Sequence, residues 1–196
     1  MTELSSSHQA LALHNKSLHD KALQDKTYQY QTGIHRRTRA SILNATLELI
    51  SEKGLTRTNM IEIADRAQVS RASLYNHFRD KNEVFVALID QEITRICALA
   101  LSAESRHTSL FVISRELSTH QALRSALEHD PDRTTEMLVA RDHEIWVKVY
   151  RNLSEIFGTD AVGVGLIIRW LIGHVTAPLS EEHSRAQAER IIRALS

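Results

Sequence analysis

A chain of 196 residues can bury one good core and a second small one, so one or two domains are expected. Its 42% apolar and 24% charged residues are those of an ordinary soluble protein, and with only two prolines and six glycines they exclude a turn-rich β architecture in favour of an all-α fold. Net charge is zero, but the average hides an asymmetry. Between Ile34 and Lys81 nine Lys/Arg stand against five Asp/Glu, net +4, whereas from Asn82 to Ser196 twelve stand against sixteen, net −4. That is the layout of a polyanion-binding head on a body that stays off the polyanion. The single cysteine, Cys97, excludes an internal disulfide. The start Met1-Thr2-Glu3-Leu4-Ser5 lacks the basic and apolar stretches of a secretory leader, so a cytoplasmic protein is expected.

In chain order, residues 1–33 form an N-terminal extension rich in Ser, His and Gln, with a faint helical stripe at Leu4, Leu11, Leu18 and Ala22. The first strong helix is predicted from about Arg36 to Lys53, where Ile42, Leu43, Thr46, Leu47, Leu49 and Ile50 recur at three- and four-residue spacing and Gly54 supplies the stop. Asn59 caps a second helix, and Glu62 three residues on completes a capping box. That helix buries Met60, Ile63, Ala64 and Ala67 and ends in a turn at Gln68-Val69-Ser70. Ser70 caps a third helix whose Leu74 and Phe78 point back into a small core while its remaining residues are polar or basic. Residues 34–81 thus read as a helix-turn-helix domain, and 82–196 as a helical body. Asp80 and Glu83 open a fourth helix to about Ser102, whose stripe of Phe85, Leu88, Ile89, Ile93, Ile96 and Ala100 bridges head and body. Further helices are predicted at about Thr108–Leu117, Thr119–His129, Pro131–Phe157, Asp160–Thr176 and Glu181–Leu195, with Pro131 in a first turn and breaks at Gly158 and Pro178.

A helix that turns Arg71, Ala72, Ser73, Tyr75, Asn76 and His77 outward fits a DNA major groove. In a helix-turn-helix the second helix crosses the phosphate backbone and the third presents its first residues to base edges. Cations supply affinity and base-facing side chains supply sequence choice. Arg71 can fork onto guanine and Asn76 can pair with adenine. Ser73 and Ala72 are small enough to let the helix seat closely. Tyr75, His77 and Lys81 carry groups that meet phosphates, and Arg36, Arg37 and Arg39 can reach an adjacent groove or backbone. Any one basic residue, Arg66 or Arg79 for example, belongs more readily to a solvated face. The third helix taken whole does not, because turn, cap, core and polar face agree.

The same residues carry a resemblance. Paired arginines before the first helix, Glu52-Lys53-Gly54, Thr58, Ile63-Ala64, Ala67, Val69-Ser70, Leu74-Tyr75, His77-Phe78 and Lys81 make Arg37 to about Ile89 similar to the N-terminal domain of TetR-family transcriptional regulators. The resemblance covers about a quarter of the chain. It implies a homodimer on a palindromic operator in double-stranded DNA, commonly a repressor released by a small-molecule ligand. It also implies that Thr58, Tyr75, His77 and Lys81 contact the backbone and that Arg71, Ser73 and Asn76 face bases. Gln68 departs from the pattern, which has glycine at the turn. A non-glycine residue in a left-handed conformation costs roughly 1 kcal/mol, so the turn is expected to be strained or differently shaped.

In the body, Ala161–Val175 is apolar on nearly all sides, yet too short for a membrane span and interrupted by Arg169. Its glycines, Gly163, Gly165 and Gly173, and the downstream Ile191, Ile192 and Leu195 suggest a homodimer face through about 160–177 and 181–195, an arrangement the resemblance also implies. Candidates for a small-molecule effector pocket are Phe111, Arg115, Arg141, His143, Trp146, Tyr150 and Trp170, with His120, Arg169 and His174 as further polar candidates. The aromatic ones belong more readily to plain core. Eleven histidines form no His-x-x-x-His, Cys-x-x-Cys or Glu-x-x-His cluster within one predicted helix, so neither a metal nor any other cofactor is expected. With no Gly-x-Ser-x-Gly and no glycine-rich phosphate loop, the chain does not read as an enzyme. The competing reading is a helix-turn-helix regulator whose body binds a protein partner and no small ligand.

Overall fold

The computed structural model describes residues 32–139 and 144–195. The expected N-terminal extension up to residue 31, with its stripe from Leu4 to Ala22, and residues 140–143 lie outside them. Every regular element among the described residues is an α-helix, as the scarcity of proline and glycine requires. Contacts within the chain divide it after Ser41, and each side is taken by itself. On the first side, residues 32–41 are helical, Arg36 and Arg37 are exposed, and Arg39 is half-buried. Arg37 Nε donates to the Gly33 carbonyl at 3.3 Å.

On the second side, helix α1 comprises residues 42–57, running past the predicted end at Lys53. Gly54 does not terminate it but marks a break at φ +84°, after which helical residues resume for one short turn. Then come α2 (Met60–Arg66), α3 (Arg71–His77) and α4 (Lys81–Leu101). The body holds α5 (Arg106–Thr119), α6 (Gln121–His129), α7 (Pro131–Val139), α8 (Glu144–Phe157), α9 (Ala161–Thr176) and α10 (Glu181–Leu195). The one long helix predicted over Pro131–Phe157 is thus described as two segments on either side of residues 140–143.

Two cores organise residues 42–195. The first joins Ile42, Leu49 and Ile50 of α1, Ile63 and Ala64 of α2, Leu74 of α3, Phe78, and Val84, Phe85 and Leu88 of α4. Ala122 and Ala126 of α6 also enter it, which the sequence pattern does not reveal. The second joins Ile96 and Ala100 of α4, Leu110, Phe111 and Ile113 of α5, Leu153 and Phe157 of α8, and the α9 stripe Val164, Ile167, Ile168 and Leu171, with Ala188 of α10. Helix α4 therefore bridges the two, its first half in one core and its second half in the other, as its stripe predicts.

Helix α9 buries one side and leaves Val162 at 80% and Leu166 at 45% exposure on the other. Gly163 is used inside the chain: a Cβ there would clash first with the Thr159 side chain and then meet Leu195 Cδ2 at 3.1 Å. Ile191, Ile192 and Leu195, expected at a dimer face, are half-buried against the second core. Helix α10 is further held by the buried His174, whose Nε2 lies 2.9 Å from Ser184 Oγ, and by Trp170 Nε1, which donates to Gln187 Oε1 at 2.7 Å.

Candidate nucleic-acid interface

Three caps set the geometry of α2, α3 and α4. Asn59 Oδ1 accepts the N–H groups of Ile61 and Glu62, both at 3.1 Å, and Glu62 accepts in return from Asn59 Nδ2 at 2.6 Å. Lys53 pairs with Glu62 at 2.6 Å, and that contact with Lys53 does most to hold the carboxyl below its ordinary pKa. Ser70 Oγ accepts from the Ser73 N–H at 3.0 Å and starts α3. Asp80 Oδ1 accepts from the Glu83 N–H at 2.9 Å, while Glu83 Oε2 accepts from the Arg79 N–H, one residue before the cap.

The turn between α2 and α3 satisfies its backbone in a defined way. Val69 N–H donates to the Ala64 carbonyl at 3.0 Å and Gln68 N–H to the Asp65 carbonyl at 3.1 Å. This is the Schellman pattern of a helix C-terminus, with a left-handed residue between the two bonds and an apolar one after it. Gln68 occupies the left-handed position at φ 56°, so the departure from glycine noted in the sequence falls where the backbone most favours glycine. Val69 packs against the first core, which fixes the direction in which α3 leaves the turn.

On α3, Leu74 and the following Phe78 are 0% and 1% exposed, and these anchors orient the rest. Arg71, Ala72, Tyr75 and Asn76 are exposed, and Ser73 and His77 are half-buried. Among the described residues Arg71 carries no ion pair. Arg66, by contrast, is spoken for: it donates to Glu52 at 2.8 and 2.9 Å and to Glu48 at 3.2 Å, tying α2 to α1. The Glu52 contact, then Glu48, raises its pKa. The arrangement leaves a short surface strip with a guanidinium, a phenol and a carboxamide on one side of a small helix.

Two expected backbone contacts are placed differently. Thr58 is 0% exposed, and its hydroxyl donates to the Gly54 carbonyl at 2.8 Å, so its side chain belongs to the α1–α2 corner and not to a surface. Lys81 is half-buried, and its ammonium donates to the carbonyls of Leu55, Thr56 and Thr58 at 3.5, 3.4 and 3.1 Å. Burial, and then the Arg133 charge, draws its pKa down, while Asp130 opposes them. The sequence reading missed Asp130, which accepts from the Leu55 N–H at 2.6 Å, the Thr56 N–H at 3.2 Å and the Thr56 hydroxyl. Its Asp-Pro context reads as an ordinary helix start, and nothing in it announces a partner 75 residues away.

The effector candidates among the described residues are placed as follows. Phe111 is 4% exposed with the Arg185 guanidinium 4.1 Å from its ring centre. Trp146, Tyr150 and Trp170 pack against the same second core. Trp146 Nε1 donates to the Met137 carbonyl at 3.3 Å, and the Trp170 ring lies tilted against that of His174 with centres 4.1 Å apart. Arg115 is exposed beside Glu116 at 3.7 Å, while Arg141 and His143 lie outside the described residues. His120 faces Glu92 at 3.3 Å and caps α6 by accepting the Leu123 N–H, and the exposed Arg169 donates to the Gly165 carbonyl. No group of three or more metal-ligating side chains occurs among the described residues. No single described helix is long and apolar enough to cross a membrane.

The profile of the family described as "Bacterial regulatory proteins, tetR family" matches residues 42–88, which contain α2, α3 and most of the first core. Over 71 residues the chain is 34% identical to the HTH-type transcriptional regulator AcrR of Shigella flexneri, covering 36% of this chain and 33% of that protein. The chain thus matches about a third of the length of such curated relatives. Among solved structures, a TetR transcriptional regulator from Rhodococcus sp. RHA1 superimposes with a TM-score of 0.57 at 23% identity, over 82% of this chain and 96% of that one. The TetR family repressor AlkX from Dietzia sp. strain DQ12-45-1b superimposes at 0.56 with 19% identity, over 79% and 96%. These likenesses carry the fold over both head and body, while the sequence match falls on the capped helix-turn-helix itself. Residues 42–88 are thus similar to the helix-turn-helix region of the bacterial tetR family of regulatory proteins.

Proposed function

We propose that the protein is a homodimeric transcriptional repressor that seats α3 in the major groove of a palindromic operator and is released by a small molecule bound in the body. The observation that carries the DNA-binding part is the division of α3: Leu74 and Phe78 buried beneath it, Arg71, Tyr75 and Asn76 exposed above. Arg71 forks onto a guanine and Asn76 pairs with an adenine, while Tyr75 and His77 meet phosphates. Arg36, Arg37 and Arg39 add contacts beside the main groove. A repressor reading is supported by the name of AlkX, although the activator FasR of Mycolicibacterium smegmatis is also among the relatives. The exposed Val162 and Leu166 of α9 supply an apolar surface for a second copy, and the cytoplasm is where such a protein meets DNA. The aromatic side chains of Phe111, Trp146, Tyr150 and Trp170, in or against the second core, support an effector site in that part of the body.

The test is selection of duplexes from random-sequence DNA by the purified protein, followed by titration at several salt concentrations. A two-fold symmetric sequence with salt-dependent affinity is expected. Arg71→Ala should lose roughly 1–3 kcal/mol on that sequence and little on random DNA. Selection of no sequence, or an equal loss on both DNAs, overturns the assignment. Calorimetry with a metabolite panel tests the effector: no heat from any member, together with capture of a protein partner by the body, moves the reading to a ligand-free regulator.

A further inference from the structure

The α1–α2 corner of the head is gripped from two directions. From α4, the Lys81 ammonium covers the carbonyls of Leu55, Thr56 and Thr58. From the body, the Asp130 carboxylate takes the N–H groups of Leu55 and Thr56 and the Thr56 hydroxyl. The approach is close enough to dictate a residue: a Cβ on Gly54 would stand 2.6 Å from Asp130 Oδ2 and 2.8 Å from His129 Cβ, and φ +84° disfavours a side chain there independently. Asp130 is itself held, since the Thr134 hydroxyl donates to its carbonyl at 2.8 Å and to that of Ala126 at 3.0 Å across the α6–α7 corner. One turn into α7, Arg133 donates to Asn82 Oδ1 at 3.0 Å and lies 5.9 Å from the Phe85 ring centre. Helix α6 completes the grip with Ala122 and Ala126 inside the head's core.

We infer that Asp130 is a positioning residue for DNA binding: it locks the α1–α2 corner to the α6–α7 corner and so fixes where the body holds α3. The argument is one of leverage. The helix-turn-helix is a small unit attached to the body by α4, and a helix joined at one point leaves its load free to swing. A second attachment on a different element removes that freedom. Two docked heads must match half-sites about one helical turn, roughly 34–36 Å, apart, so a swing shows as tolerance of wrong spacing before it shows as loss of contact with either half-site. Hydrogen bonds to a charged acceptor are among the stronger ones available to hold such a joint. Asp130 touches no DNA in this scheme.

The inference rests on the operator reading above, and the experiment separates the two. The full-length protein and its Asp130→Asn variant are titrated against the duplex the wild type selects, and against versions with one or two base pairs inserted or removed at its centre. Melting in the absence of DNA shows whether the variant is folded. The expected result is that Asp130→Asn loses about tenfold in affinity at the selected spacing but little at the altered ones, so that its preference for spacing flattens. A merely structural role lowers affinity equally at every spacing, and that result, or an unchanged preference, overturns the inference while leaving the operator reading intact. Should Asp130→Asn fail to fold, Thr56→Val, which removes one donor from the opposite side, decides by the same readout with a smaller flattening. A wild type that selects no two-fold symmetric duplex overturns the operator reading, and the inference falls with it.

Discussion

Lys81 shows how a residue's type and its environment can point in different directions. A lysine just after a recognition helix reads as a phosphate contact, but its ammonium is turned inward to three carbonyls at the end of α1. Carbonyls at and just beyond a helix C-terminus have no intrahelical donor, and a cation there also suits the helix dipole. Lys81→Ala is therefore expected to destabilise the protein by about 1–2 kcal/mol in denaturant melts without DNA. A phosphate role alone would leave the melt unchanged and lower only the salt slope of DNA binding. Thr58 behaves similarly: its hydroxyl donates to the Gly54 carbonyl four residues back. Arg71 is the converse, a cation whose exposure and lack of an ion pair among the described residues match its expected surface role.

At the scale of elements, the helix-turn-helix was legible because each of its parts has a local physical cause. Asn59, Ser70 and Asp80 cap the helices that follow them, and each cap is read from a polar residue and its neighbour within three positions. The turn was legible down to its strain. Gln68 takes the left-handed position of a Schellman motif, and its exposed side chain leaves the backbone penalty uncompensated among the described contacts. Gln68→Gly should raise stability by about 0.5–1 kcal/mol, the relief of left-handed strain being partly offset by the greater freedom of glycine in the unfolded chain. A chemical denaturation midpoint that stays put or falls would show that the turn is not strained. The pairing of α6 with the head was not legible, because Ala122 and Ala126 are small residues whose period fits any packed helix.

Across the whole molecule, acid should act through carboxylates that the fold holds ionised. For Glu92 the contact with His120 is the largest influence and lowers its pKa; burial opposes it, and Arg95 lowers it further. For Asp130 burial pulls upward but is outweighed by the Thr56 hydroxyl and the Thr56 and Leu55 amides, with Arg133 adding to them. A carboxyl whose pKa is depressed on folding stabilises the protein above its ordinary value and loses that contribution as pH falls through the folded value. Thermal midpoints are thus expected to fall as pH drops below the ordinary values of 4.5 for Glu92 and 3.8 for Asp130. The fall should be shallower in Asp130→Asn, and midpoints that ignore pH in that range would contradict the assigned contacts. The sequence by itself determined the all-helical fold, the caps that start α2 and α3, and the outward placing of Arg71, Ala72, Tyr75 and Asn76, though not the half-burial of Ser73 and His77, since helix periodicity and capping act over four residues or fewer. Only the tertiary structure decided that Thr58 is buried, that the Lys81 ammonium turns to backbone carbonyls, that Phe111 lies under Arg185, and that Asp130 reaches the head. Each of those depends on which distant segment arrives beside a side chain, and a one-dimensional pattern carries no record of that.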